Sequence, residues 1–115
     1  MIYRRFALPI LLSLSLTLLP SGLAAQTVDE WFERGNAAWA AGRYREAEEI
    51  WRRVLQIEPN NSWAYVGLGI ALYHQGKLPE AMDAYRRAIA LDPNYAAAYY
   101  NLGIALADQG KLPEA

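Results

Sequence analysis

The sequence predicts an all-α fold of antiparallel helix hairpins stacked one after another, and three observations predict it. The first is a period. Gly35, Gly69 and Gly103 lie 34 residues apart, as do Gly42, Gly76 and Gly110, then Ala47, Ala81 and Ala115, and the pair Pro59 and Pro93. The segment Pro59 to Ala81 aligns without gaps to Pro93 to Ala115, with 16 of 23 positions identical. A fixed period of this length is the signature of a repeat architecture. The second is helical spacing inside the period, where Tyr65, Leu68 and Leu72 share one face and Val66, Ile70 and Tyr73 an adjoining one. The third is punctuation, with a glycine and two prolines placed where helices end and begin.

The chain opens with a different kind of segment. Met1 to Arg5 is basic, Phe6 to Leu19 is an apolar run of 14 residues broken only by Pro9, Ser13, Ser15 and Thr17, and Pro20-Ser21-Gly22 precedes Leu23-Ala24-Ala25. Basic, apolar and small-residue parts in this order predict a secretory signal over residues 1–25. Cleavage after Ala24 puts Gly22 at the third position back, a better fit than the Leu23 that cleavage after Ala25 would put there. The expected destination is outside the cytoplasm, in a bacterium the periplasm. The alternative is a retained inner-membrane anchor, because no charge occurs between Phe6 and Val28. The apolar run is nonetheless shorter than the roughly 20 residues a span needs.

Composition narrows the function. Eleven Lys and Arg nearly balance twelve Asp and Glu, so no clustered basic charge points to nucleic acid. With no cysteine, disulfides, thiolate metal sites and a cysteine nucleophile are excluded together. Without Arg4 and Arg5, nine basic residues remain against twelve acidic ones.

From Val28 onward each unit reads as two helices. In the second unit the first helix is expected over Trp63 to Gln75, with Asn60, Asn61 and Ser62 all able to cap it. Gly76 permits the left-handed conformation that ends a helix. Pro79 suits a first helical position, where a missing N–H costs nothing, and Glu80 beside it complements the helix dipole. The second helix carries Ala81, Met82, Tyr85, Ala88 and Ile89 on one side, with Asp83, Arg86 and Arg87 on the other. It stops before Pro93, since the residue preceding a proline is disfavoured in the helical region. Gly69 and Ala81 are small residues on facing helices, which lets the two axes approach closely.

These residues resemble the tetratricopeptide repeat (TPR), whose pattern runs aromatic, Leu-Gly, apolar, Ala, aromatic, Ala, Pro. The second unit supplies Tyr65, Leu68-Gly69, Leu72, Ala81, Tyr85, Ala88 and Pro93, and the third supplies Tyr99, Leu102-Gly103, Leu106 and Ala115. The first supplies Trp31, Gly35, Ala47, Trp51 and Pro59, departing with Arg34 for Leu, Ala38 for a large apolar residue and Val54 for Ala. A terminal repeat has a face without a neighbour, where a polar Arg34 is tolerated. The resemblance implies an α-solenoid of about two and a half repeats over residues 26–115, with units near 28–61, 62–95 and an incomplete 96–115. Ala115 falls inside what should be the last unit's second helix, so the expectation is a piece of a longer array or a surface for self-association.

The resemblance also implies a concave face lined by the first helix of each unit: Phe32, Asn36 and Trp39, then Val66, Ile70 and Tyr73, then Tyr100, Ile104 and Ala107. Such a lining predicts a protein or peptide partner with apolar anchors, although Ile70 and Ile104 are also of a size and character that suits core packing. Some family members grip a carboxylate tail with Lys, Arg and Asn on this face. Here Asn36 matches one such position, but Phe32 stands where the Lys would be, which argues against that mode. No catalytic constellation, metal site or cofactor is expected, because the single His74 has no companion ligand. Charged residues at helical spacing, such as Asp83 with Arg86 and Arg87, or Glu46, Glu48 and Glu49 with Arg52 and Arg53, read as solvated pairs. The alternatives to an interaction scaffold are a structural segment of a longer assembly and the interaction domain of a larger enzyme.

Overall fold

The computed structural model describes residues 27–110, and the expectations for the signal segment and for Pro113 to Ala115 fall outside them. The described residues form five α-helices: α1 (Val28–Ala40), α2 (Tyr44–Ile57), α3 (Ser62–His74), α4 (Leu78–Leu91) and α5 (Ala96–Asp108). Each helix packs on the next in the chain, and α3 also touches α1 and α5. The result is two layers, α1–α3–α5 on one side and α2–α4 on the other.

The helix ends follow from local chemistry. The Thr27 hydroxyl accepts from the Glu30 N–H at 3.2 Å and starts α1. The Asn61 side-chain oxygen accepts from the Ala64 N–H at 3.0 Å and starts α3. Such caps satisfy backbone donors that have no partner within the helix. Gly76 closes α3 with φ +80°, while its N–H donates to the Tyr73 carbonyl at 2.9 Å and the Lys77 N–H to the Leu72 carbonyl at 3.0 Å. That pair of bonds is the Schellman closure, which requires a left-handed residue at the glycine. Helix α4 begins at Leu78, one residue earlier than Pro79 suggests. Proline is tolerated at either place, because every N–H of the first turn lacks an intrahelical acceptor.

The core runs along the seam between the layers. Ala47, Ile50, Trp51 and Val54 of α2 are all buried, and so are Ala81, Met82, Ala84, Tyr85 and Ala88 of α4. Full burial of one large apolar side chain contributes about 1.5–3 kcal/mol. The facing helices must be thin where these rings lie. A Cβ at Gly69 would overlap the Tyr85 ring, and Cβ atoms at Gly35 and Gly67 would come within 2.8 and 2.5 Å of Trp51. Gly69 is therefore a packing device, as its spacing suggests, with the Tyr85 ring as its immediate neighbour. Arg34 lies on the outside of α1, 4.5 Å over the Trp31 ring, so the charged side chain at the Leu position covers an aromatic face instead of entering the core.

Candidate functional site

The α1–α3–α5 layer presents a continuous set of side chains, because positions three, four and seven residues apart share a helix face. Tyr100 is the most open of its large residues at 70 % exposure, and Trp39 stands at 46 %. Asn36 is exposed, while Ile70 and Ile104 are half-buried. Phe32 is also half-buried, its ring edge-on to Trp51 at 4.9 Å between centroids. The Tyr73 hydroxyl donates to the Asp108 carboxylate and so links α3 to α5 across this face. That bond, then burial and the nearby charge, push the Tyr73 phenol above its ordinary pKa. Ala107 is exposed one residue before Asp108.

Val66 departs from the expected lining. It is only 5 % exposed and forms a small cluster with Ala88 and Ala98. It holds the same repeat position as Phe32 and Tyr100, but the middle unit has neighbours on both sides, and α4 and α5 close over it. Val66 is thus packing between units and not accessible surface.

The structure adds residues to this face. Trp63, 64 % exposed, stacks on Tyr95 at 6.1 Å between centroids and heads the stripe that continues through Val66 and Ile70. An open groove of about 670 Å³ is lined by Val28, Asp29, Phe32, Glu33, Glu58, Asn61 and Trp63. The stripe spacing could have revealed Trp63. The approach of Glu58 to α1 could not be read from spacing, since it depends on how the α2–α3 turn folds back.

On the other layer, a groove of about 500 Å³ lies between α2 and α4 over Tyr65, with Arg52, Glu80, Asp83 and Arg87 at its rim. Its charges are mixed in sign. Glu48 lies close by, joining α2 to the end of α3. Its carboxylate accepts from Gln75 Nε2 at 2.9 Å, from Arg52 Nε at 3.0 Å and from Lys77 Nζ at 3.4 Å. Burial pushes this carboxyl up, but the bonds from Gln75 and Arg52 and the charges of Arg52 and Lys77 outweigh it, leaving the pKa below the usual range. Of the charged pairs expected within helices, Arg52–Glu48 is therefore more than a solvated pair. Arg86–Asp83 at 3.9 Å is a surface contact. His74 is exposed and stacks on Tyr44 at 4.6 Å. Among the described residues no group of three or more His, Cys, Asp or Glu could hold a metal ion.

Two layers of helix hairpins repeating every 34 residues define an α-solenoid. Family models for the tetratricopeptide repeat and the TPR repeat match residues 38–85 and 71–110. The chain belongs to the tetratricopeptide-repeat family. It is similar to the Sgt2 TPR domain from Aspergillus fumigatus, with 29 % identity and a TM-score of 0.70 over 72 % of this chain and 55 % of that one. The chain thus spans little more than half of that relative. It is also similar to the second TPR of Spaghetti (RPAP3) bound to HSP90 peptide SRMEEVD, with 29 % identity and a TM-score of 0.71 over 77 % of this chain and 82 % of that one. MamA, at 23 % identity and a TM-score of 0.71 over 76 % of this chain and 52 % of that one, shares the fold. No curated protein matches the chain.

Proposed function

We propose that the chain is an interaction scaffold whose α1–α3–α5 face binds an extended or helical peptide segment of another protein and catalyses nothing. The observation that carries this reading is the run of exposed large side chains on one face, Trp39, Trp63 and Tyr100. Aromatic rings of this kind give large contact area with few rotatable bonds to immobilise. The Spaghetti TPR bound to an HSP90 peptide supports peptide binding as a use of the fold. Export, in a bacterium to the periplasm, is part of the same proposal and rests on the basic, apolar and small-residue order of residues 1–25.

The test is selection of random nine-residue peptides on the full chain, followed by calorimetry with a selected peptide. Tyr100→Ala is expected to weaken binding about tenfold, as loss of an aromatic anchor does, and Tyr73→Ala to weaken it as well. Unchanged affinity in both variants overturns the concave-face reading. Tyr100 is the cleaner probe, because its exposed side chain contributes little to the fold.

A further inference from the structure

The groove beside α1 combines two features that recognise one kind of chemical group. It is lined by three carboxylates, Asp29, Glu33 and Glu58, and by the rings of Phe32 and Trp63. Among the described residues no Lys, Arg or His lines it. One oxygen of Glu58 accepts from Asn61 Nδ2 at 2.8 Å, which holds that carboxylate in place on the turn. Carboxylates bind cations through charge-assisted hydrogen bonds, and the open face of a tryptophan attracts the same cations.

The charge is not an accident of one corner. Arg34 is the sole Lys or Arg on α1, α3 and α5, and it lies over Trp31 beside Glu46, Glu49 and Arg53, facing the α2 side. The other Lys and Arg of the described residues stand on α2, α4 and the turns before them. At the far end of the same layer another acidic side chain, Asp108, is bonded to Tyr73. Asp29 also complements the α1 dipole, being in the first turn. Glu33 lies a full turn further along, where that explanation no longer applies.

We infer that the Asp29–Glu33–Glu58 groove holds an Arg or Lys side chain of the bound peptide, so that the scaffold selects basic, apolar segments and rejects acidic tails. The inference rests on the concave-face reading and gives it a charge. It also sets this chain apart from the Spaghetti domain, whose peptide SRMEEVD carries two Glu and one Asp in its last four residues.

The same peptide selection on the full chain tests it. Selected peptides are expected to be enriched in Arg or Lys and depleted of Asp and Glu. Their affinity should fall at least tenfold in the Asp29→Asn, Glu33→Gln double variant, fall with added salt, and fall again in Trp63→Ala. All three side chains are exposed, so the variants should melt with wild-type cooperativity. Selected peptides without basic enrichment, or indifferent to the double variant, overturn the inference. If those peptides still lose affinity in Tyr100→Ala, the concave-face reading stands without it. Peptides indifferent to both sets of variants, or no peptides at all, overturn both. Capture of SRMEEVD itself would also overturn the charge selection.

Discussion

The two junctions in this array are built from the same repeat, yet they are joined differently. Where the first hairpin meets α3, Trp51 lies against two glycines, Gly35 and Gly67. One period later the ring is Tyr85 and lies against Gly69, while the position of Gly67 is filled by Asn101, which donates to the Ala97 carbonyl at 2.8 Å. Gln75 donates to the Glu48 carboxylate and to the Ala71 carbonyl at 3.0 Å. Its counterpart Gln109 has a buried side-chain oxygen without a hydrogen-bond partner among the described residues, and Met82 stands where Glu48 would be. A third difference is at the caps. Asn61 caps α3, whereas Tyr95 makes no side-chain cap on α5 and stacks on Trp63 instead. The lesson is that a sequence period repeats the backbone, while each interface is fitted by a few departures from it.

The largest effect should come from one change made at equivalent positions. Gly69→Ala should destabilise by about 1–3 kcal/mol, the usual cost of overpacking, because its Cβ would overlap Tyr85. Gly103→Ala should stabilise by up to about 1 kcal/mol, since alanine is the better helix former and no described residue lies within 4 Å of the added atom. Urea midpoints of the two variants read this directly, and shifts of the same sign would break the comparison. A smaller contrast is expected at the glutamines. Gln75→Leu should cost about 1–2 kcal/mol, whereas Gln109→Leu should be neutral or gain about 1 kcal/mol by removing an unsatisfied oxygen. Equal losses would mean that the second junction is as well bonded as the first.

The smallest effect is a dependence on pH. Glu48 has a folded pKa below that of the unfolded chain, so its contribution is whole above the unfolded value of about 4.3. It is lost as pH falls from there through the folded pKa. Glu48→Gln should therefore flatten the stability profile below about pH 4.3, measured by denaturant unfolding along an acid series. Parallel profiles would show that the carboxylate adds nothing to the first junction.

The sequence makes the fold legible because glycine and proline act locally. Gly42, Gly76 and Gly110 all have positive φ, and the apolar positions at helical spacing can be counted by eye. The boundary of α4 moved by one residue because proline is equally tolerated at the first and second helical positions. The candidate site is less legible. Tyr100 and Val66 hold one repeat position, yet only the first is open among the described residues, because α4 and α5 pack over Val66. The Glu48–Gln75 bond joins residues 27 apart, a pairing that spacing along one helix cannot suggest. Asp29 and Glu33 are ordinary helix-surface residues until the fold brings Glu58 and Trp63 beside them.

The fit of Trp51 to Gly67 has a consequence for how such arrays can grow. Duplicating or shuffling a unit is cheap at the level of the gene, but the new order has to fit in three dimensions. A copy of the third unit placed directly after the first would bring Asn101 against the Trp51 ring, where even a Cβ approaches within 2.5 Å. The units are therefore not interchangeable beads. The first carries, in the Trp51 ring, a record of which unit can follow it.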